Sequence, residues 1–443
     1  MSASVRRKAE RIVQRLVDAG HDALFAGGCV RDMLRGEEPH DYDVATDARP
    51  EEVEALFDRT VSVGRQFGVV IVVLGDDQFE VTTFRAEGGY SDGRHPDEVR
   101  YADAREDALR RDFTINGLFY NPLADEVIDY VGGEADLQAR VIRAIGDPAQ
   151  RFAEDALRLL RAVRFAARFG YRIEPGTMAA LEAYAAAIVQ VSGERVRDEL
   201  GRILTGPNRG DALELLRATG LLAAILPEVA AMEGCGQPDE FHPEGDVLTH
   251  TRLCLDALSD PSVPLAFATL LHDVGKPPTR TEADRVRFNQ HDRVGAQLAR
   301  AICRRLRFST AATEHVVDLV AQHMRFMVVR QMRESRLKRL LRSPHIEDHL
   351  ELHRVDCLAS HGDLGNHEFC RQQLAALGEA DIRPPRLLTG DDLIDLGYTP
   401  GPLFSQILER VEDAQLEGDV QTRDAALALV RREFPRLRDT RTG

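Results

Sequence analysis

The sequence predicts an α+β protein, with a mixed sheet and helices in an N-terminal head and helical regions from there to the end of the chain. Strand and helix signals alternate over residues 1–150. From residue 151 the strand signals give way to a helical period. Near residue 236 a second helical block begins, and it holds most of the fourteen histidines. A chain of 443 residues exceeds what one core usually supports. Four parts are expected: 1–150, 151–235, 236–375 and 376–443.

In order along the chain, residues 23–26 form a short apolar strand, Gly27-Gly28 a turn and residues 29–35 a short helix. Residues 41–46 read as a second strand, and 50–57 as a helix opened by Pro50. The apolar runs 69–74 and 79–84 flank Gly75-Asp76-Asp77-Gln78, a hairpin signal. The first of these strands is apolar on both faces, so a sheet covered on both sides is expected. Residues 152–169, 178–191, 195–204 and 210–226 carry the helical period, with Gly or Pro at most breaks. Gly234-Cys235-Gly236-Gln237-Pro238 reads as a linker. Arg383-Pro384-Pro385 introduces a last helical segment.

With 43% hydrophobic and 29% charged residues the chain can pack a core. Apolar runs such as 69–74 fall far short of the ~20 residues that cross a bilayer. Residues 1–17 lack an apolar stretch of the kind a secretory signal needs. Cys29, Cys235, Cys254, Cys303, Cys357 and Cys370 form no CxxC pair, which argues against a disulfide framework and a zinc ribbon. A reduced, cytoplasmic, soluble protein with no membrane partner is expected. The net charge of −16 disfavours nucleic acid at first sight, but local charge decides whether phosphate is held.

The first chemical motif is Gly27-Gly28-Cys29-Val30-Arg31-Asp32, followed by Asp41-Tyr42-Asp43. Glycines at a strand-to-helix turn let backbone N–H groups approach phosphate. Carboxylates two apart on a strand share a face, where they can hold divalent cations that brace phosphoryl transfer. Alone, either piece reads as a turn or as solvated acids; together, in this order, they point to a nucleotide site.

In these residues the chain resembles nucleotidyltransferases of the DNA-polymerase-β type, specifically the class II tRNA nucleotidyltransferases (CCA-adding enzymes) and bacterial poly(A) polymerases. Thr83-Phe84-Arg85 through Tyr90-Ser91-Asp92-Gly93-Arg94-His95-Pro96 looks like the family's flexible loop, with His95 where Arg is more usual. Arg110-Arg111-Asp112-Phe113-Thr114-Ile115-Asn116-Gly117 looks like its ribose- and phosphate-contacting motif, with Gly117 in place of the commoner Ala. Asp129 to Asp136, with Gly132-Gly133, matches the hinge between head and neck, and Glu154-Asp155-Ala156-Leu157-Arg158 the motif that selects the incoming nucleotide. The resemblance implies a polymerase-β-type head with Mg²⁺ on Asp41 and Asp43. Glu80, on the adjacent strand, is a candidate third carboxylate. Nucleotide contacts are implied for Gly27, Gly28, Arg31, Arg111, Asp112, Asn116, Asp155 and Arg158.

Asp155 and Arg158 are three apart, so on a helix they would lie on one face. A carboxylate accepts from an exocyclic amine and Arg donates to a ring nitrogen or carbonyl. Cytosine and adenine share that pattern, so one Asp–Arg pair could pass CTP and ATP and reject UTP and GTP. Its bland alternative is an exposed helix ion pair. Arg158, Arg161, Arg164, Arg168 and Arg172 would continue as a basic stripe for the triphosphate or the RNA acceptor end, or as a solvated face.

A third constellation comprises His250, His272-Asp273, His291, His323 and Asp356, in the order and rough spacing of an HD-superfamily phosphohydrolase. Imidazole plus carboxylate suits a divalent transition metal (Mn, Ni, Fe or Zn) rather than Mg alone. The tail from Leu388 to Leu427 resembles that of bacterial CCA-adding enzymes. The expected function is template-independent addition of CCA to the tRNA acceptor end from CTP and ATP, with an additional HD phosphohydrolase and no obligatory protein partner. Its rivals are an A-adding-only enzyme, a poly(A) polymerase, and an HD phosphohydrolase with an inactive, RNA-binding head.

Overall fold

The structure, a computed structural model, describes residues 2–61, 68–88, 98–238, 245–282 and 284–435. Two compact units divide the chain: Met1–Ala231 with Ile302–Phe308, and Met232–Ala301 with Ser309–Gly443.

The first unit begins with α1 (Ser2–Asp18), β1 (Ala23–Ala26), α2 (Gly28–Leu34), β2 (Val44–Thr46), α3 (Pro50–Leu56), β3 (Thr60–Val61), β4 (Val69–Leu74) and β5 (Asp77–Thr83). A small hairpin of β6 (Arg85–Gly88) and β7 (Glu98–Tyr101) precedes α4 (Ala104–Leu109), β8 (Leu118–Asn121), β9 (Glu126–Asp129) and α5 (Gly133–Ala139). Among the described residues, seven strands form one sheet in the order β3-β4-β5-β2-β1-β8-β9. Its β2–β5 pair is parallel, with Val44 opposite Val81; its other pairs are antiparallel.

Helix α1 presents Ala9, Ile12, Val13 and Leu16 at helical spacing to a core with Phe25, Val44, Val70, Val72 and Val81. The opposite face buries Leu24, Ala26, Ala45, Phe84, Ala108 and Phe119. The sheet is therefore covered on both sides, although Val69, Ile71 and Val73 of β4 are only half-buried. The hairpin is tighter than its sequence signal, since Leu74 already faces Asp77 across a Gly75-Asp76 turn. Strand β2 starts at Val44, so Asp41 and Asp43 lie in the extended lead-in rather than in the strand.

Beyond residue 140 two expectations fail. Strands do not stop: β10 (Val141–Ile142) pairs in parallel with β11 (Arg172–Ile173). Nor is 152–169 one helix, because α6 (Pro148–Glu154) ends before α7 (Leu157–Phe169) begins. The Asp155 carboxylate accepts from the Leu157 amide and caps the new helix. Helices Pro175–Tyr184, Gly193–Thr205 and Arg209–Ala218 then lead to the end of this stretch.

In the second unit, Val247–Ala257, Val263–Leu271, Thr310–Gln322 and Ile346–Ala359 are the principal helices around the histidines. A hairpin missed in the sequence, β12 (Arg280–Glu282) with β13 (Val286–Phe288), lies among them. The stretch 234–238 is tied down rather than a free linker: Asp246 accepts from the Gly234 amide, and Gln237 from Lys276. The tail helices Gly390–Asp395, Pro402–Leu416 and Arg423–Glu433 enclose a core of their own that includes Leu393, Ile407, Val411 and Leu429. Among the described residues no helix is long and apolar enough to cross a membrane.

Candidate active sites

The first site forms where β1 turns into α2. Gly27 has φ 72°, and a Cβ there would meet Nη1 of Arg111 at 2.5 Å. Glycine thus allows both the backbone conformation and the close guanidinium. Asp41 is exposed, Tyr42 buried and Asp43 half-buried, the alternation of an extended chain. The Tyr42 ring packs on Phe25 at 5.2 Å, which leaves the flanking carboxylates for the other side. The Ala26 amide donates to the Asp43 carbonyl, pinning this segment to β1.

The Val44–Val81 register carries Asp43 beside Glu80 on β5. Burial pushes the Asp43 carboxyl up to about 7, with Glu80 and Asp41 pushing the same way and Arg111 opposing. Carboxylates on Asp43 and on Glu80 of the paired strand, with Asp41 two residues away and Arg111 opposing, offer the oxygen donors that a divalent cation takes.

Beside them runs a network that joins five of the sequence-predicted residues. Arg31, buried, donates through Nη1 to Asn116 Oδ1 at 2.6 Å. Asn116 Nδ2 donates to Asp112 Oδ1 at 3.0 Å, and Arg161 Nε to Asp112 Oδ2 at 2.7 Å. Arg111 donates to the Asn116 carbonyl at 3.2 Å and pairs with Asp107 at 3.0 Å. Burial alone would raise the Asp112 carboxyl; Arg161, then the Asn116 amide, hold it down at about 2.

The selection motif is arranged differently from its sequence reading. Asp155 lies between α6 and α7 with extended backbone and pairs with Arg195 at 2.8 Å. Arg158 is buried on α7, pairs with Glu154 at 2.7 Å and donates to the carbonyls of Arg151 and Arg110. The two residues therefore share no helical face, and no exposed Asp155–Arg158 ion pair forms. The basic stripe is also shorter: Gly170 ends α7 in a left-handed cap, and Arg172 sits in β11. Its members are partnered, Arg161 with Asp112, Arg164 with Glu199 at 2.6 Å, and Arg168 3.9 Å from Asp32. Of the flexible-loop motif, Thr83 ends β5, Phe84 links the strands and Arg85 begins β6; Tyr90 to Pro96, with His95, lies outside the described residues.

The second site gathers all six residues expected from the His-rich block. Nε2 of His250 lies 3.3 Å from Nε2 of His272 and 3.2 Å from Asp356. Nε2 of His291 lies 3.3 Å from Nε2 of His323. Asp273 stands between the two groups: Oδ2 is 3.3 Å from His272, and Oδ1 is 3.5 Å from His291 and 3.8 Å from His323. Nδ1 of His272, His291 and His323 faces the carbonyls of Thr269, Phe288 and Val320 at 2.7–2.9 Å. Nδ1–H donation to those carbonyls leaves each Nε2 lone pair aimed inward, the tautomer a metal needs. Burial, then the neighbouring His272, pushes His323 down to about 4, so it is neutral at pH 7. Gly275 makes this packing possible, because a Cβ there would meet the His291 carbonyl oxygen at 2.1 Å.

Three nearby residues were not predicted. Lys276 pairs with Asp273 at 2.7 Å and donates to Gln237, while Cys254 lies 3.4 Å from Nε2 of His250. A cavity of about 660 Å³ opens onto Asp273, His291, His323 and Asp356, and Lys276, Arg285, Arg287, Met324 and Met327 also line it. Its cations and apolar side chains fit a phosphorylated organic molecule. A larger cavity of about 940 Å³, lined by His315, Arg325, Arg336, Arg342 and His345, contains none of the predicted site residues.

Three family models match the chain in order. The model described as "Poly A polymerase head domain" covers residues 23–143, "Probable RNA and SrmB- binding site of polymerase A" covers 170–233, and "HD domain" covers 246–356. The chain is 45% identical over 199 residues to the CCA-adding enzyme of Limosilactobacillus fermentum, a match covering 45% of this chain and 50% of that protein. It is 44% identical over 216 residues to the CCA-adding enzyme of Bacillus subtilis, covering 48% and 54%. The match thus spans about half the length of these curated relatives. The crystal structure of the Bacillus stearothermophilus CCA-adding enzyme in complex with CTP superposes with a TM-score of 0.72 at 28% identity, covering 96% of this chain and 97% of that one. The head and HD domains imply dependence on divalent metal. The chain thus carries a poly(A) polymerase head domain, the RNA-binding region of that polymerase and an HD domain in this order, and along 96% of its length it is similar in structure to a class II CCA-adding enzyme.

Proposed function

We propose that this protein is a template-independent nucleotidyltransferase that adds C and A, from CTP and ATP, to tRNA 3′ ends, and that its HD domain is a separate metal-dependent phosphohydrolase. The observation that carries the first activity is the register that sets Asp43, two residues from Asp41, alongside Glu80, next to the Gly27 turn and the Arg31–Asn116–Asp112–Arg161 network. Asp41 and Asp43, with Glu80, would hold Mg²⁺, which lowers the pKa of the primer hydroxyl and neutralises triphosphate charge. Gly27 and Gly28 would let backbone N–H groups approach phosphate, and Arg111, whose guanidinium lies against Gly27, would supply a cation there.

Asp155 and Arg158 would read the amine and the ring acceptor shared by cytosine and adenine. To do so they exchange their present partners, Arg195 and Glu154, for the base. Arg161 and Arg164 would serve the triphosphate or the acceptor end. The division of labour follows the chain: 1–150 as catalytic head, 151–235 as neck and body for nucleotide selection and RNA, 236–375 as HD domain and 376–443 as tail. In the HD domain His250, His272, Asp273, His291, His323 and Asp356 would hold Mn, Ni, Fe or Zn. Six buried free thiols fit the reducing cytoplasm, where the protein would act without an obligatory protein partner.

Incubating the protein and Mg²⁺ with a tRNA lacking CCA tests this reading. CTP alone should add C only, CTP with ATP should complete CCA, and UTP or GTP should add nothing. Addition of A only to a CC-ending tRNA points to the A-adding enzyme. Long A tails point to the poly(A) polymerase. No addition at all, with phosphohydrolase activity present, points to an inactive head.

A further inference from the structure

The helix Val247–Ala257 places Cys254 one turn beyond His250, on the same face. Its Sγ lies 3.4 Å from Nε2 of His250, and with His272 and Asp356 the four ligand atoms all lie within 4.8 Å of one another. Measured from Nε2 of His250, the neighbours stand at 3.3 Å (His272), 3.2 Å (Asp356) and 3.4 Å (Cys254). A tetrahedral ion bound at ~2.0–2.1 Å to nitrogen and ~2.3 Å to sulfur keeps its ligand atoms ~3.3–3.6 Å apart. The separations to His272 and Cys254 fall within that spacing, and that to Asp356 lies just below it. The thiol of Cys357 differs: it neighbours His353 at 3.7 Å, a histidine outside the ligand set.

We propose that Cys254 is a thiolate ligand of the metal held by His250, His272 and Asp356. This rests on reading the six-residue cluster as a metal centre. Asp273 lies beside this set of four, with Oδ2 3.3 Å from Nε2 of His272 and Oδ1 3.5 Å from His291 in the second group. Binding releases the thiol proton to solvent, and the cation balances a sulfur anion that is fully buried. A thiolate turns a nitrogen- and oxygen-donor set into one that favours a softer ion such as Zn²⁺ over Mg²⁺ or Mn²⁺. The subsite with Cys254 would then discriminate between metals, while the His291–His323–Asp273 side would not.

The test loads the full-length protein with Co²⁺, measures bound metal by mass spectrometry and records the absorption spectrum. Bound cobalt with an intense near-ultraviolet thiolate-to-cobalt band is expected. Cys254→Ser should abolish the band, Cys357→Ser should keep it, and circular dichroism should show both variants folded. The preference for Zn²⁺ over Mn²⁺ should fall about tenfold or more in Cys254→Ser, since even outer-shell losses cost that much. Cobalt bound without the band overturns the thiolate assignment and leaves the metal centre standing. No bound cobalt overturns both. The wild-type spectrum is read without any variant, so a misfolded substitution does not shelter the proposal.

Discussion

The guanidinium of Arg161 lies 2.6 Å from the carboxylate of Asp112, so helix α7 is tied by one ion pair to the segment 110–117. Asp112 is 8% exposed and also receives the Phe113 amide and the Asn116 side chain, which makes it the hub of the network that joins Arg31, Asn116 and Arg161.

Its charge should therefore contribute to stability in a pH-dependent way. The folded carboxyl sits at about 2 against an ordinary 3.8. The contribution is fully present above about pH 4 and is lost as the pH falls through 2. At neutral pH it is worth ~2 kcal/mol. Urea unfolding of Asp112→Asn should show about that loss at pH 7 and little difference near pH 2. Equal loss at both pH values would show that the charge is not what stabilises.

Gly27→Ala should act mainly on activity. The Gly-only backbone conformation there costs an alanine ~1–3 kcal/mol, and the new methyl must displace Arg111. Addition of C and of A should fall together, with KM for both nucleotides raised. Unchanged KM values in a folded variant would remove Arg111 from phosphate binding.

Asp41→Ala and Asp43→Ala should each reduce incorporation of C and of A about a thousandfold or more, because a metal ligand is worth several kcal/mol to the transition state. Primer extension with each nucleotide measures this. Near-normal CTP addition by either variant contradicts the assignment.

Replacing Asp155 or Arg158 by Ala should raise misincorporation of UTP or GTP while slowing correct addition, by the ~1–3 kcal/mol that one base-edge contact discriminates. Arg195→Ala frees Asp155 from its ion pair and should keep selectivity. If single-nucleotide competition shows unchanged preference in Asp155→Ala and Arg158→Ala, the two residues are structural.

Much of this was legible in the sequence because local signals and global fold agree. Gly27 and the Asp41–Asp43 pair are short-range signals; the six HD-site residues, spread from 250 to 356, are recognisable by their order, and the fold brings them together in two adjoining groups. What escaped was set by distant partners. Nothing in Glu154-Asp155-Ala156-Leu157 signals a helix break, since it contains no Gly or Pro and the apolar period continues. The break comes from Asp155 capping Leu157 and reaching Arg195, forty residues on. The Arg280–Phe288 hairpin is short and charged, so its strands lack the apolar run that marks a strand. Cys254 did leave a readable trace, four residues after His250, and Gly170 marked the end of the helix on which Arg172 had been placed.

The proposed independence of the two metal sites is tested most directly by a reciprocal assay of double substitutions. Wild type, Asp41→Ala with Asp43→Ala, and His272→Ala with Asp273→Ala are each given a tRNA lacking CCA in Mg²⁺, and separately a 2′,3′-cyclic nucleotide with a transition metal. Thermal transitions confirm that each is folded, because losing metal ligands from a helical core can loosen it. The first double variant should lose nucleotide addition and keep phosphohydrolysis; the second should do the reverse, adding CCA at close to the wild-type rate. A folded His272→Ala, Asp273→Ala protein that loses CCA addition while keeping phosphohydrolase activity would contradict the account.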